Sequence, residues 1–316
     1  MSRDTIPESE YSVRRVGRPL TKQFRIYFER TRDHLPVSPF HDIPLYHDEK
    51  KGVFNMVVEI PRWTNAKFEV SRSERLNPIH QDTLAKKPRF VKNCFPYKGY
   101  LWNYGALPQT WEDPHDRHPD TGANGDNDPI DACEIGRAVA QPGDVKQVRV
   151  LGVLGLLDAG ETDWKLLVID VHDPLADKLN GIEDVERHLP GLLDATRDWF
   201  RIYMIPNGRD PNEFAFDGKW KGKKYAQEIV DGCADAWKKL IMGEAKRGGI
   251  SLDNTTLTGT PGKLDPDTVH LPPDQDIAPA PVEQDLDDWY YIDRNALEAK
   301  DASLEGGRLR IVVDMG

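Results

Sequence analysis

The sequence predicts a β-rich α+β fold, in which a small antiparallel sheet or barrel is flanked by helices and carries long extended arms. Strand-like patterns dominate residues 24–155 and continue into a long hairpin, whereas helical patterns begin only after residue 180. Strands followed by helices, with close hairpin connections, are typical of α+β proteins. A segment rich in proline and acid follows residue 259. Such a segment cannot form a core of its own, so we expect it to run extended over the surface.

The first strands are predicted from alternation of apolar and polar residues. Residues 24–28 alternate an aromatic residue or isoleucine with charge, and residues 53–60 form a compact apolar run between a glycine and a proline. Glu59 points away from the apolar face of that run, and Glu69 does the same in the strand predicted at residues 67–70. Two strands therefore place carboxylates on the face opposite their apolar residues.

A tyrosine pair and an acidic hairpin follow. If residues 99–104 are extended, Tyr100 and Tyr104 share one face. Residues 145–157 and 164–171 predict the two strands of a hairpin, joined by a turn over residues 158–163, which are too polar and glycine-containing for a strand.

Three helices are predicted in the second half of the chain. Residues 182–189 end at a proline, residues 192–203 follow, and residues 222–242 form the strongest amphipathic pattern. With these elements we divide the chain into four parts. They are a polar N-terminal arm or edge strand at 1–22, a single domain at 23–258, an extended arm at 259–292 that docks through Trp289, and a C-terminal extension at 293–316 of unknown role.

Charge and composition exclude several classes of protein. The 316 residues carry 42 lysines and arginines against 53 acids, a net charge of −11, which opposes nucleic-acid binding because that binding neutralises phosphates. No apolar run is long enough to cross a membrane, and acids among the first twenty residues argue against a targeting signal. Three isolated cysteines are typical of reduced thiols, so we expect a cytoplasmic protein.

The strongest chemical signal is the cluster Asp126, Asp128 and Asp131. Pro129 fixes its own backbone torsion and keeps Asp128 extended, so the three carboxylates can converge rather than wind around a helix. Crowded anions are unfavourable unless cations offset them. Oxygen ligands at this density favour Mg²⁺, Mn²⁺ or Ca²⁺, although the spacing does not fit the calcium loop of an EF-hand.

A second acidic group lies at the hairpin tip, where Asp158, Glu161 and Asp163 precede Lys165. A solvated turn is the simpler interpretation of such a tip, and surface charge is the simpler interpretation of Lys67 or Arg89 taken singly. Together, however, these groups form a face that bears both carboxylates and cations, which is what a substrate of polyphosphate and metal requires. No phosphate-binding glycine loop is present as an alternative.

The sequence resembles the soluble family I inorganic pyrophosphatases, and within them the fungal and animal cytosolic branch. Residues 126–132, DNDPIDA, match the signature of that family in full. Further similar segments span the chain from residue 24 to 292; they are 40–46, 58–67, 109–114, 158–165 and 199–203. The resemblance implies an OB-type barrel with packed helices, hydrolysis of diphosphate to two orthophosphates, and several Mg²⁺ ions per site, with Mn²⁺ as a possible substitute. It also implies a homodimer, with Trp63 and Trp289 as interface candidates.

The resemblance further implies a role for each site residue. Asp128 would be the general base, tuned by Tyr104. The expected metal-binding residues are Asp126, Asp131, Asp158, Asp163, Glu69 and Glu59, the last orienting a water of the metal shell. The expected phosphate-binding residues are Lys67, Arg89, Tyr100, Lys165 and Tyr203, of which Lys67 and Arg89 also count as catalytic.

One position departs from the family pattern, and two other functions compete with hydrolysis. Met204 stands where the family usually has a lysine, so we expect weaker phosphate binding with the chemical step retained. A non-catalytic interaction subunit on this fold would be expected to have lost some of the acids, yet all are present. An oligonucleotide binder would need a basic groove.

Overall fold

The computed structural model describes residues 9–297, and strands are its main elements. The strands are Tyr11–Val16 (β1), Arg25–Arg30 (β2), Leu35–Val37 (β3), Tyr46–Asp48 (β4), Val53–Ile60 (β5), Phe68–Val70 (β6), Ile79–Gln81 (β7), Thr83–Leu84 (β8), Lys87–Pro88 (β9), Asn93–Cys94 (β10), Asn103–Ala106 (β11), Asp131–Glu134 (β12), Val145–Asp158 (β13), Glu161–Asp170 (β14), Glu213–Phe214 (β15), Lys221–Gly222 (β16) and Trp289–Tyr290 (β17). The helices are Ile182–His188 (α1), Leu192–Ile202 (α2) and Lys223–Ile241 (α3).

Five strands close into a barrel. In order around the barrel, β5 pairs with β11, β11 with β12, β12 with β14, β14 with β13, and β13 with β5 again. Four of these pairings are antiparallel and that of β12 with β14 is parallel. A closed five-stranded barrel is the architecture of OB folds.

A second sheet lies beside the barrel and contains the N-terminal strand. Its order is β1, β2, β7, β6, with β3 also paired to β2. The amides of Gln275 and Ala280 donate to the carbonyls of Arg15 and Pro19, so the proline-rich segment runs along the free edge of β1. This segment covers an edge that would otherwise expose unpaired backbone groups.

The helices cover the barrel from outside. Helix α3 packs against β13 and buries Ile229, Val230 and Ala234 in the same cluster as Met56 and Leu166. In the other half of the core, Phe200 of α2 stacks on Trp102 with ring centroids 5.0 Å apart. All three predicted helices are present to within a residue at each end. No helix among residues 9–297 combines the length and the apolar composition that a bilayer crossing requires.

Residues 283–290 bind to the barrel domain through ion pairs and a short strand. Strand β17 pairs in parallel with β10. Lysines on the domain pair with acids on the arm; the pairs are Lys87–Glu283, Lys92–Asp285 and Lys98–Asp287. The predicted extension at 293–316 lies mostly outside the described residues.

Candidate active site

A single cavity of about 420 Å³, lined by residues of the barrel strands and of α2, brings all of the predicted site residues together. They are Glu59, Lys67, Glu69, Arg89, Tyr100, Tyr104, Asp126, Asp128, Asp131, Asp158, Asp163, Lys165 and Tyr203.

The barrel strands position most of these side chains. Asp131 opens β12 and lies opposite Lys165 of β14 in the parallel register, so the acidic cluster and the hairpin meet at this point. The hairpin is longer than predicted: Asp158 pairs directly with Glu161, and only Ala159 and Gly160 form the turn. Both turn residues have positive φ, which is the geometry of a tight two-residue hairpin. The predicted turn over 158–163 is therefore wrong in length.

The two tyrosines face the cavity, but for a different reason from the one predicted. Strand β11 begins only at Asn103, and Gly99 has a φ of +55°, so Tyr100 precedes the strand rather than lying in it. The rings of Tyr100 and Tyr104 nevertheless lie 5.2 Å apart. A tight turn, and not strand periodicity, places them side by side.

The loop that carries the acidic cluster is held by its neighbours. Asn127 has a φ of +74°, and the indole nitrogen of Trp111 donates to its side-chain oxygen at 3.0 Å. The Asp128 amide donates to Asp126 Oδ1 at 3.0 Å. Gly125 packs so closely on the preceding segment that a Cβ there would lie 2.4 Å from the carbonyl carbon of Glu112.

Lys165 is the electrostatic centre of the cavity. Its side chain is 3% exposed, and Nζ donates to Asp131, Asp163 and the Tyr104 hydroxyl, the last at 2.9 Å. The Tyr104 hydroxyl donates in turn to Asp131. Burial alone would raise the pKa of Asp131, but the ammonium groups of Lys165 and Lys67 hold it below its usual range.

The other carboxylates are shifted in the opposite direction. Burial raises the pKa of Glu59 to about 8, although the Lys67 ammonium opposes the shift. Burial likewise raises the pKa of Asp128 and that of Asp163 to about 7, against the effects of Arg72 and Lys165 respectively. Each of these groups therefore needs additional positive charge to be ionised throughout the neutral range.

Further cations surround the cavity. Lys67 lies 3.6 Å from Glu69, and the Tyr203 hydroxyl donates to Asp158 at 2.9 Å. Arg89 pairs with Asp82 at 2.8 Å, and its second terminal nitrogen lies 3.2 Å from the thioether sulfur of Met204. Met204 therefore packs against a cavity cation.

Three charged residues of the site were not predicted: Glu112, Arg72 and Arg209. Arg72 and Arg209 line the cavity and pair with Asp128 at 3.2 Å and with Asp158 at 3.0 Å. Arg72 comes several residues after the segment 58–67, and Arg209 comes several residues after the segment 199–203. Both stand in stretches of ordinary charged residues. No local pattern distinguishes them.

Glu112 also completes an oxygen cluster suited to a divalent cation. Carboxylate oxygens of Glu112, Asp126 and Asp163 lie within 4.8 Å of one another. One oxygen of Glu112 accepts from the Trp164 amide at 3.0 Å, whereas the other is buried with no hydrogen-bond partner. An unpartnered buried oxygen beside two carboxylates fits a hard cation such as Mg²⁺. Glu112 lies within residues 109–114, one of the segments that resemble the family, and that was the available signal.

Similarity to known proteins shows the family of this chain. The model of the inorganic pyrophosphatase family matches residues 56–238. The chain belongs to the inorganic pyrophosphatase family. Inorganic pyrophosphatase of Emericella nidulans is 60% identical over 282 residues, covering 89% of this chain and 98% of that protein. The enzyme of Neurospora crassa is 58% identical over 285 residues, covering 90% and 98%.

Solved pyrophosphatases share the fold. The structure from Schistosoma japonicum has a TM-score of 0.83 and 43% identity, covering 89% of this chain and 99% of its own. An N-terminally truncated vacuolar soluble pyrophosphatase of Trypanosoma cruzi, in complex with PPi, has a TM-score of 0.68 and 40% identity, covering 76% and 95%. The predicted family and the β-rich α+β fold with its barrel are confirmed. This pyrophosphatase hydrolyses diphosphate, and the non-catalytic subunit is not favoured.

Proposed function

We propose that this pyrophosphatase is activated by Mg²⁺ and that Asp128 is its general base. The observation that carries the proposal is the single cavity in which six other predicted carboxylates and the lysine and arginine side chains converge. The metal-binding residues are the six predicted ones, Asp126, Asp131, Asp158, Asp163, Glu69 and Glu59, together with Glu112. Divalent cations bound there would lower the pKa of water and neutralise the leaving phosphate. Mn²⁺ satisfies the same oxygen ligands and could substitute.

Asp128 is suited to receive the proton of the attacking water. Its Oδ1 faces Arg72 at 3.2 Å, and its side chain lines the cavity rather than the core. A carboxylate is a weak base, so it acts best where the water is already acidified and little proton affinity is required. Tyr104, which donates to Asp131, helps to fix the neighbouring carboxylate.

The cationic and phenolic groups bind the two phosphates. Lys67, Arg89 and Lys165 would bind phosphate oxygens and stabilise the charge that develops on them. Tyr100 and Tyr203 would contribute hydroxyl donors at the cavity wall. Lys165 and Tyr203 donate to carboxylates in this structure, so diphosphate would take over part of their hydrogen bonding.

We propose further that the protein is a cytoplasmic homodimer. Trp63 is 59% exposed and Trp289 is 37% exposed, beside the exposed rings of Phe95 and Tyr291. The Trp63 amide donates to the Tyr100 carbonyl and the backbone of Trp289 pairs with that of Asn93, so both residues adjoin the segment 93–100. Exposed aromatic groups of this kind are typical of interfaces. All three cysteines are free and buried, which supports a reducing compartment.

The decisive measurement is orthophosphate release from diphosphate by the purified protein, with and without Mg²⁺. We expect two orthophosphates per diphosphate and loss of turnover with a chelator. Ca²⁺ should compete and inhibit, because its looser coordination misplaces the reacting groups. Turnover supported equally well by Ca²⁺ would contradict the proposal.

The substitution Asp128→Asn tests the role of Asp128 as general base. We expect turnover to fall at least about 100-fold, since a positioned base contributes about 10²–10⁴. Mg²⁺ affinity, measured by titration calorimetry, should change little because Asp128 is not assigned to the metal. Full activity in this variant would remove Asp128 from the role of base.

A further inference from the structure

We propose that Arg72 is a positioning residue, which holds the Asp128 carboxylate in the orientation that proton transfer requires. This inference rests on the proposed function, because Arg72 acts only through the base. Arg72 makes no bond to substrate in this scheme. It fixes the direction of a neighbouring acceptor.

The guanidinium of Arg72 bridges three groups of the loop that carries the base. Its Nε lies 3.2 Å from Asp128 Oδ1. Its Nη1 donates to the carbonyls of Asp126 and Asn127 at 3.4 and 3.3 Å. A planar group with several fixed donors can span a carboxylate and two carbonyls, whereas a single ammonium cannot do so with the same geometry.

Arg72 can act as a fixed point because its own backbone is anchored. Its carbonyl accepts from the Ser251 amide at 2.7 Å and from the Asn77 side-chain amide at 3.2 Å. Asn77 is fully buried and accepts from the Ser38 hydroxyl at 2.7 Å. The turn between β6 and β7 is therefore tied to the core on the side away from the cavity.

The Asp128 side chain has few other restraints. Its backbone amide and carbonyl are used within the loop and by the Glu112 amide. Within the described range 9–297, Arg72 is the one cation that forms an ion pair with its carboxylate. Asp128 Oδ2 has no hydrogen bond to any residue in that range, so it is the oxygen that remains available to accept a proton. Without Arg72 the carboxylate could rotate, and the acceptor oxygen would no longer be defined.

A matched control is available three residues along the chain. Arg75 pairs with Asp253 at 3.3 Å, almost the distance of the Arg72 pair, but it does not line the cavity. Arg72→Met and Arg75→Met therefore remove the same charge and a similar ion pair from the same turn. Only Arg72→Met removes contacts with the loop that carries Asp128.

The experiment measures kcat, KM for diphosphate and thermal unfolding for both variants in saturating Mg²⁺. For Arg72→Met we expect kcat to fall about 10- to 100-fold, which is typical of a misplaced catalytic group, with KM within about twofold. Arg72→Lys should recover only part of kcat, because a lysine restores the positive charge but not the planar set of fixed donors. Arg75→Met should keep both constants and show the same change in unfolding temperature. A raised KM with unchanged kcat would overturn the proposal and make Arg72 a phosphate-binding cation.

A double-mutant cycle with Asp128→Asn separates the two proposals. If Arg72 acts through the base, adding Arg72→Met to Asp128→Asn should lower kcat by less than about twofold. A full additional loss would show that Arg72 acts elsewhere. If Asp128→Asn loses turnover but Arg72→Met keeps the kcat of the wild-type protein, only the positioning role fails. If Asp128→Asn is fully active, the base assignment fails and the role of Arg72 fails with it.

Discussion

Single cations in the cavity form ion pairs with several of its carboxylates. Lys165 balances Asp131 and Asp163, and Arg209 balances Asp158. Burying such pairs removes them from water, and the desolvation cost can exceed the attraction between them. The arrangement is therefore better explained by catalysis than by stability, because metal and phosphate can replace these partners one by one.

Met204→Lys tests the departure of this chain from the family pattern. The Met204 side chain is 4% exposed and its sulfur contacts Arg89, so a lysine would place a second cation beside the phosphate-binding arginine. We expect phosphate to bind about tenfold more tightly, a gain that one additional close charge can supply. We also expect a lower unfolding temperature, because two cations are crowded together. Calorimetric titration with phosphate and thermal unfolding measure the two effects.

Met204→Leu is the control for that substitution, since it keeps an apolar side chain of similar size and adds no charge. It should leave phosphate affinity unchanged. If Met204→Lys also leaves it unchanged, a cation already in the cavity, such as Arg209, supplies the missing charge.

Site residues that belong to a local sequence pattern, such as strand alternation or a cluster of acids, could be predicted. Site residues without such a pattern could not. Glu59 was predicted to face away from the apolar side of β5, and the structure places it in the cavity. The acidic cluster was found because its carboxylates are adjacent in the sequence. Arg72 and Glu112 escaped because each reaches the site through a contact that only the folded chain creates.

At the scale of secondary-structure elements, the segment that precedes Asp126 brings the acidic loop and the hairpin together. Gly125 forms a bridge with Thr162 of β14 and lies against Glu112 and Asp113. Strand alternation predicted the two hairpin strands, but it could not predict this bridge, which joins residues that are distant in the chain. The position of the loop therefore depends on this close backbone approach as well as on the contacts that Trp111 and Arg72 make with it.

Gly125→Ala should disturb the site without unfolding the protein. A Cβ at this position would lie 2.4–2.8 Å from backbone atoms of residues 112 and 113, so the loop must move. We expect a stability loss of about 1–3 kcal/mol, as for other overpacked positions. We also expect weaker Mg²⁺ binding and at least about tenfold lower kcat. Chemical denaturation, titration calorimetry and phosphate release measure these three quantities.

Gly232→Ala is the matched control for Gly125→Ala. Gly232 lies in α3, where a Cβ would have no atom outside the helix backbone within 4 Å, so alanine should stabilise the helix by up to about 1 kcal/mol and leave activity unchanged. Normal metal binding in Gly125→Ala would show that the loop tolerates displacement.

For the whole molecule, the closure of the barrel was the least predictable feature. The parallel pairing of β12 with β14 brings Asp131 beside Lys165, although the sequence order favoured antiparallel hairpins throughout. Alternation shows which face of a strand is apolar, but it does not show which strand is its neighbour. The OB-type barrel was predicted only through the resemblance to the family.

Truncating Trp289 tests the proposed dimer. A central aromatic group at an interface commonly contributes 2 kcal/mol or more, so Trp289→Ala should weaken dimerisation at least about 30-fold. Sedimentation velocity over a range of concentrations would detect the shift from dimer to monomer. Met242→Ala removes a side chain that is 47% exposed elsewhere on the surface and should leave the oligomeric state unchanged. A wild-type protein that is monomeric at all concentrations would refute the dimer.

The stability of the metal-free protein should fall as pH rises, which is opposite to the usual behaviour of carboxylates. Burial raises the pKa of Glu59 from 4.5 to about 8 and that of Asp163 from 3.8 to about 7. Between about pH 4 and pH 8 the unfolded chain therefore binds fewer protons than the folded chain, and the free energy of unfolding decreases with pH. The lowered pKa of Asp131 has no effect in this range, because the group is ionised in both states above about pH 4. Burial lowers the pKa of His41 to about 4, which opposes the trend up to about pH 6.5, so the clearest decrease is expected between about pH 6 and pH 8.

Divalent cations should reverse this trend, because they bind the ionised carboxylates and not the protonated ones. Thermal unfolding with a chelator and with Mg²⁺, at about pH 6 and at about pH 8, measures the difference. We expect Mg²⁺ to raise the unfolding temperature at both pH values, by at least about 5 °C more at the higher one, where 1 kcal/mol corresponds to about 2–4 °C. Glu59→Gln should reduce the pH dependence in chelator, since the amide cannot ionise. An unfolding temperature in chelator that rises from pH 6 to pH 8 would show that the cavity acids are already ionised without metal.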